Sequence, residues 1–169
     1  ILTQDDLHHD PHALEGYACA VFAGHDEYWT REMRDHVDAF VEEGGRVARF
    51  AGNFMWQIRL EDEGRRQVAY KYDAGALDPV AATEPHRLTG AWEDPRVNHP
   101  GASTFGVNAL RGIYGSFGGM APRNPRGYTV FRPEHWAFMG TGLGYADMFA
   151  DEANIFGYEV DGLEYTFVD

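Results

Sequence analysis

The first half of the chain places two short apolar runs on either side of a segment with helical periodicity. Residues 17–24, YACAVFAG, are nearly all apolar, which is typical of a strand covered on both faces. Apolar residues recur at helical spacing through residues 31–43, and residues 46–53, RVARFAGN, predict a second strand. The succession is that of a βαβ unit, so we expect the two strands to be parallel neighbours with a right-handed crossover.

The limits of the predicted helix are marked by residues that favour helix ends. Thr30 is a good N-cap, and Glu32 in the first turn suits the helix dipole. Gly44 and Gly45 form a stop signal. The apolar face of the helix is predicted to consist of Met33, Val37, Phe40 and Val41.

The second half of the chain is less regular. Residues 56–72 predict two strands joined around Glu63 and Gly64. Residues 73–127 are rich in Gly, Pro and Asn, and a long irregular insert of this kind is usually functional or mobile. Two more candidate strands follow, within residues 128–143 and 153–162.

The composition is that of a soluble globular protein, with 44% hydrophobic and 24% charged residues and no run near the ~18 apolar residues of a membrane span. Acidic residues outnumber Lys and Arg by 27 to 14, and a net charge of −13 argues against nucleic acid as a partner. The single Cys19 is predicted to be a small buried core residue, and the cytoplasm is the expected compartment. Because Ile1-Leu2-Thr3 reads as the end of a strand, we expect a fragment of a longer polypeptide.

Ionisable side chains follow the first predicted strand directly. His25, Asp26 and Glu27 lie where open α/β sheets bind their ligands, at the carboxyl end of a parallel strand. Residues i and i+2 of an extended chain share a face, so His25 and Glu27 should point together, with Asp26 opposite. Such a pair can bind a metal or act as a base with its orienting partner, but it can equally cap the next helix and meet solvent.

Two further polar residues lie at or near strand ends. Asn53 follows the second strand, where its amide can donate to a substrate carbonyl or a developing oxyanion, although a turn residue is the simpler interpretation. Glu159, with Asp161 two residues on, is an ordinary strand carboxylate unless the surrounding apolar residues desolvate it and raise its pKa toward the range of a base.

Other candidates are weaker. His135 stands beside a tryptophan and is more typical of a packed ring than of a catalytic one. The segment with His8, His9 and His12 is expected to be an exposed, turn-rich connector. Nucleophile elbows, zinc motifs and phosphate-binding loops are absent. Asn53 also occupies the position at which glutamine amidotransferases carry their nucleophilic cysteine, which excludes thiol amidotransferase chemistry.

Several of these residues carry a family resemblance. The stretch GHDEYWTREMRDHVDAFVEEGGRVARFAGNFMWQIRLE, together with RPEHWAFMGTGL and GYEVDG, resembles the C-terminal domain of the large (beta) subunit of N,N-dimethylformamidase. The resemblance implies a glutamine-amidotransferase-like (flavodoxin-like) α/β fold, with a mostly parallel sheet and flanking helices. On this basis residues 1–169 form one domain, with the irregular insert at about 73–127.

The resemblance also implies a chemistry, the hydrolysis of a small tertiary amide such as N,N-dimethylformamide to formate and dimethylamine. In the characterised enzyme two tyrosine phenolates and one glutamate hold a mononuclear ferric iron. By motif match Glu27 is the glutamate ligand, His25 lies beside the metal, and Asn53 and Glu159 supply the amide and the acid/base group. The tyrosine ligands are expected upstream of this chain.

The same resemblance suggests partners, namely a small subunit and further copies of the large one. A rival hypothesis is a non-catalytic, amidotransferase-like scaffold or subunit-interface domain, in which the same residues are capped or paired and form no pocket. A hydrolase of another amide or ester, using another metal, is a third hypothesis that the sequence does not separate from the first.

Overall fold

The computed structural model describes residues 1–114, 127–151 and 159–163, with the side chains of residues 113, 114 and 159 left out. It divides into two compact units, the first formed by Ile1–Gly112 with Asp161–Asp169 and the second by Ile113–Val160. The α-helices in the described ranges are α1 (Gln4–His9), α2 (Arg31–Glu42), α3 (Ala74–Leu77) and α4 (Gly101–Phe105). The strands there are β1 (Cys19–His25), β2 (Tyr28–Thr30), β3 (Arg46–Gly52), β4 (Trp56–Glu61), β5 (Arg66–Val68), β6 (Val107–Tyr114), β7 (Tyr128–Thr129), β8 (Met148–Phe149) and β9 (Glu159–Leu163).

The predicted βαβ unit is confirmed. β1 and β3 are parallel, with Cys19 opposite Arg46 at one end and His25 opposite Gly52 at the other. The next short strands continue the pairing, since β2 lies parallel to β4 with Tyr28 opposite Trp56. Residues 26–27 on one side and 53–55 on the other interrupt the two parallel pairs at the same level.

Helix α2 begins and ends where the sequence predicts. The Thr30 hydroxyl accepts a hydrogen bond from the backbone N–H of Met33, which satisfies one of the free donors of the first turn. The helix ends at Glu42, before Gly44 at φ +96°. Met33 and Val37 of the predicted apolar face are buried, whereas Val41 is 46% exposed.

The sheet of β1 and β3 is covered on one face only. Ala20 and Phe22 pack into the core, whereas Val21 is 63% exposed and Phe50 is 73% exposed. Cys19 is also exposed. The predictions of a strand covered on both faces and of a buried Cys19 are therefore wrong, because the described residues supply a helical layer on only one side of this sheet.

The hydrophobic core includes Phe54, one of the residues that interrupt the parallel pairs. The ring of Phe54 stacks on Trp92 at 5.9 Å between centroids and meets the edge of Trp29 at 5.5 Å. Arg34 of α2 is fully buried in this core, with its guanidinium 4.3 Å from the centre of the Trp92 ring. Burial lowers the pKa of Arg34 to about 10. Its guanidinium donates hydrogen bonds to carbonyl and hydroxyl oxygens of residues 99–104.

The remaining sequence predictions for the first unit are confirmed in part. β4 and β5 form an antiparallel hairpin whose turn has positive φ at Glu63 and Gly64. The expected irregular segment contains α3, α4 and β6, and β6 lies beside β9. The histidine-rich segment is not a simple exposed connector, because residues 4–9 form a helix, capped by Thr3, that buries Leu7.

The second unit contains the antiparallel pair β7 and β8, with Tyr128 opposite Phe149. Helices and small sheets, parallel and antiparallel, make the protein a mixed α/β structure. The flavodoxin-like arrangement, the single domain over residues 1–169 and the fragment status stay predictions. Within the described ranges, no helix has the length and apolar character needed to cross a membrane.

Candidate functional site

His25 and Glu27 come together as their spacing predicts. Nε2 of His25 lies 3.1 Å from Oε2 of Glu27, at the carboxyl end of β1. His25 is exposed, whereas the Glu27 side chain is only 15% exposed. In this pair the imidazole is therefore exposed, and the carboxylate is mostly buried.

Two further groups contact the Glu27 carboxylate. Trp56 donates its indole N–H to Oε1 at 2.7 Å, and Nζ of Lys71 lies 3.5 Å from the same oxygen. Partial burial alone would raise the pKa of Glu27, but the hydrogen bonds from His25 and Trp56 and the charge of Lys71 outweigh it and lower that pKa below its usual value. Glu27 is therefore an oriented, ionised carboxylate.

Lys71 is held by aromatic rings as well as by charge. Its Nζ lies 4.7 Å from the centre of the Tyr28 ring and 5.6 Å from that of Trp56. Tyr28 and then Glu27 raise the pKa of Lys71, which keeps the ammonium charged. The backbone of Lys71 has φ +56°, a conformation that lysine rarely adopts and that often marks functional sites.

Asp26 points to the opposite side, as expected from strand alternation. Its Oδ1 accepts the indole N–H of Trp29 at 2.7 Å, inside the core. Burial raises the pKa of Asp26, and the nearest cation is Arg49, whose Nε lies 3.7 Å from Oδ2. Asp26, at the end of β1, thus contacts Trp29 of the core and Arg49 of β3.

Asn53 occupies the equivalent position after β3. It has φ +63°, in the left-handed region that asparagine tolerates better than most residues. It is 6% exposed, and among the described residues its Oδ1 has no hydrogen-bond partner. A buried carboxamide with an orphaned polar atom suits a group that meets a ligand.

Asp161 of β9 fixes the backbone at this point. Its carboxylate accepts the N–H of Asn53 at 2.8 Å and that of Phe54 at 3.1 Å. Nη1 of Arg49 donates to Oδ2 of Asp161 at 2.8 Å. Arg49 therefore lies between Asp26 and Asp161 and connects the two strand ends.

The ferric ion implied by the resemblance fits Glu27 as one ligand. A carboxylate is a hard oxygen donor of the kind that Fe³⁺ prefers, and Trp56 orients it as outer hydrogen bonds orient metal ligands. Within the part of the chain that the structure describes, no group of three His, Cys, Asp or Glu side chains could hold a metal ion. The tyrosine ligands that the resemblance implies stay a prediction.

The other predicted site residues have different outcomes. Glu159 begins β9, but its side chain lies outside the described residues, so its role stays a prediction. His135 is exposed, and its ring lies 5.3 Å from that of Trp136 between centroids. Its side chain caps a 3₁₀ turn. His8 is half-buried with Nδ1 2.8 Å from the Thr30 hydroxyl, and its pKa is lowered by burial.

A cavity of about 480 Å³ lies along β1 and α1. Its lining includes Leu7, Tyr17 and Phe22, with His25 and Asp26 at the polar side, but neither Glu27 nor Asn53. The cavity therefore reaches His25 of the candidate site but does not extend to Glu27 or Asn53.

Sequence reasoning missed the residues that hold the site in place: Trp56, Lys71, Arg49 and Asp161. Trp56 carries a weak signal, because parallel pairing beyond Asn53 would bring it opposite Tyr28. Asp161 and Arg49 carry none, since their partners lie 108 and 112 residues away along the chain.

Fold and site together define an α/β protein with a carboxylate–imidazole pair and a buried carboxamide at the ends of adjacent parallel strands, where open α/β sheets bind ligands. The family model described as N,N-dimethylformamidase beta subunit-like, C-terminal, matches residues 1–168, and the chain belongs to this family. No curated protein and no solved structure matches the chain.

Proposed function

We propose that the chain forms part of an iron-dependent amidohydrolase that cleaves a small amide, such as N,N-dimethylformamide, to formate and dimethylamine. The observation that carries the proposal is the ionised Glu27 carboxylate, oriented by Trp56 and His25 at a strand end. Membership of a family named for dimethylformamidase supports the same chemistry.

Each residue of the proposed site has a distinct role. Glu27 would hold the metal, whose chemistry there would be polarisation of the amide carbonyl and a lowered pKa for water. His25 stays hydrogen-bonded to Glu27 and faces the substrate side. Asn53 orients the amide with its carboxamide, and Glu159 removes or relays a proton. The tyrosine ligands come from upstream.

The test measures metal content before activity. The protein, purified with any subunits that accompany it, is analysed by plasma mass spectrometry as the wild type, as Glu27→Gln and as Glu61→Gln. Glu61 is a matched control, because its partly exposed carboxylate also contacts a cation, Arg66, but it lies at the opposite end of β4 from Trp56 and makes no contact with Glu27 among the described residues. We expect the wild type and the control to contain iron and to release dimethylamine from the amide. Glu27→Gln should lose both the iron and this activity. Iron unchanged in Glu27→Gln contradicts the proposal.

The exposed face of β1 and β3 favours a second function, that of a subunit interface. Val21 and Phe50 lie on this face, and a parallel sheet is normally covered on both faces. Sedimentation velocity of Phe50→Ser should show a smaller assembly than the wild type, whether the partner is a small subunit or a second copy. Leu77→Ser, at another exposed apolar position, on α3, serves as the control. An unchanged assembly in Phe50→Ser contradicts this function.

A further inference from the structure

The interruption between β3 and β4 leaves two backbone donors without a ladder partner. Residues 53–55 lie outside both strands, so the N–H groups of Asn53 and Phe54 make no strand hydrogen bonds with any residue that the structure describes. Buried backbone donors need an acceptor, since an unpaired one costs about as much as a lost hydrogen bond. Both N–H groups find that acceptor in Asp161.

Asp161 is itself fixed from a second side. Its side chain is 4% exposed, and its Oδ2 also accepts from Arg49. The Arg49 guanidinium lies 5.3 Å from the centre of the Phe54 ring and 5.1 Å from that of Phe105. The aromatic core therefore sets the position of Arg49, Arg49 sets that of Asp161, and Asp161 sets the backbone of Asn53.

We propose that Asp161 is a positioning residue that holds Asn53 in its left-handed conformation and so aims the Asn53 carboxamide at the substrate. Without a carboxylate to accept both N–H groups, the segment loses the contacts that oppose its return to ordinary extended backbone. The role in substrate positioning rests on the proposed function, whereas the hold on the backbone does not.

Amide hydrogen exchange tests the hold on the backbone. In Asp161→Asn the new NH₂ group replaces either Oδ1, which accepts the N–H of Asn53, or Oδ2, which accepts from both Phe54 and Arg49, so at least one of these contacts is lost. We expect exchange at Asn53 and Phe54 to become about tenfold faster, the effect of losing one hydrogen bond. Asp161→Ala should give a larger effect at the same amides. Unchanged exchange in both variants overturns the inference.

Asp78 offers a matched control for the exchange experiment. It too is a buried aspartate that pairs with an arginine, Arg59, and accepts a backbone N–H, that of Thr89 at 2.9 Å. In Asp78→Asn, exchange should become faster at Thr89 and stay unchanged at Asn53 and Phe54. Equal acceleration at Asn53 in Asp78→Asn would indicate general loosening and would overturn a specific role for Asp161.

Kinetics test whether Asp161 acts through Asn53. Asn53→Gly removes the carboxamide but keeps a residue that tolerates positive φ. We expect Asp161→Asn to lower kcat about tenfold or more in the wild type, with KM changed less, and to have little further effect in Asn53→Gly. Equal losses in both backgrounds overturn the positioning role. A wild type without amide hydrolysis overturns the proposed function instead, while the exchange data still decide the hold on the backbone.

Discussion

The hydrogen bond from Trp56 to Glu27 gives the most direct check on the electrostatics of the site. Trp56→Phe keeps an aromatic ring at a buried position but removes the N–H that donates to Oε1 of Glu27 at 2.7 Å. A hydrogen bond to a charged group contributes about 1.5–3 kcal/mol. Because Glu27 keeps 15% of its side chain exposed, we expect the lower part of that range, about 1.5–2 kcal/mol.

Trp92 provides the control for the loss of ring volume. It is fully buried, and among the described residues its indole N–H has no acceptor. Trp92→Phe therefore creates a comparable cavity without removing a hydrogen bond. Both variants keep an aromatic ring beside a cation, Lys71 or Arg34, so the difference in free energy of unfolding between Trp56→Phe and Trp92→Phe reports mainly the contact with Glu27. Urea denaturation followed by far-UV circular dichroism avoids the change in tryptophan fluorescence.

The same difference should depend on pH. The pKa of Glu27 is lowered in the folded protein, so its ionised form contributes stability above the unfolded pKa of about 4.3. This contribution disappears as the pH falls through the lower, folded pKa. We expect Trp56→Phe to be less stable than Trp92→Phe by about 1.5–2 kcal/mol at pH 7, with the gap closing toward pH 3. A gap below about 0.5 kcal/mol at pH 7, or one that acid leaves unchanged, would refute the reasoning.

Three further changes have expected outcomes, each measured by urea denaturation. Asn53→Ala should be about 1 kcal/mol less stable than Asn53→Gly, because only glycine adopts φ +63° without strain, and equal stabilities would contradict this. Asp78→Ala should cost about 3 kcal/mol, the lower end of the range for breaking a buried ion pair, since it leaves Arg59 with the partly exposed Glu61 as its remaining carboxylate partner among the described residues. In the wild type this contribution is present above pH 4 and lost as the pH falls through the Asp78 pKa of about 2, so a loss that acid does not reduce would be unexpected. Thr30→Ala should cost about 1 kcal/mol by removing the cap of α2, and a smaller loss than in the exposed control Thr141→Ala would contradict the capping role.

Local features were predicted well because they depend on neighbouring residues. The Thr30 cap and the two glycines after α2 act within one helical turn, and the spacing of β1 and β3 around one helix leaves few arrangements besides a parallel pair. His25 and Glu27 meet because strand geometry alone puts residues i and i+2 on one face.

Errors arose where burial depends on what packs against an element. The apolar run around Val21 matches a strand covered on both faces, but periodicity does not tell which parts of a fold supply the cover. The contact of Asp161 with Asn53 joins positions 108 residues apart, and no local pattern marks either one. Long-range contacts of this kind decide where a site residue points, so the sequence predicts the members of the site better than its geometry.

Asp26 and Glu27 show how one chain position separates a structural carboxylate from a candidate functional one. Both are acidic and adjacent, yet burial raises the pKa of Asp26 while the contacts with His25, Trp56 and Lys71 outweigh burial and lower that of Glu27. The difference follows from strand alternation, which turns Asp26 toward Trp29 in the core and Glu27 toward His25 at the surface. A one-residue shift in register would exchange their environments. Asp26 would then lie at the site, and Glu27 would be buried in the core. The network that fixes this register, through Arg49 and Asp161, is therefore as much a part of the candidate site as the residues that face a substrate.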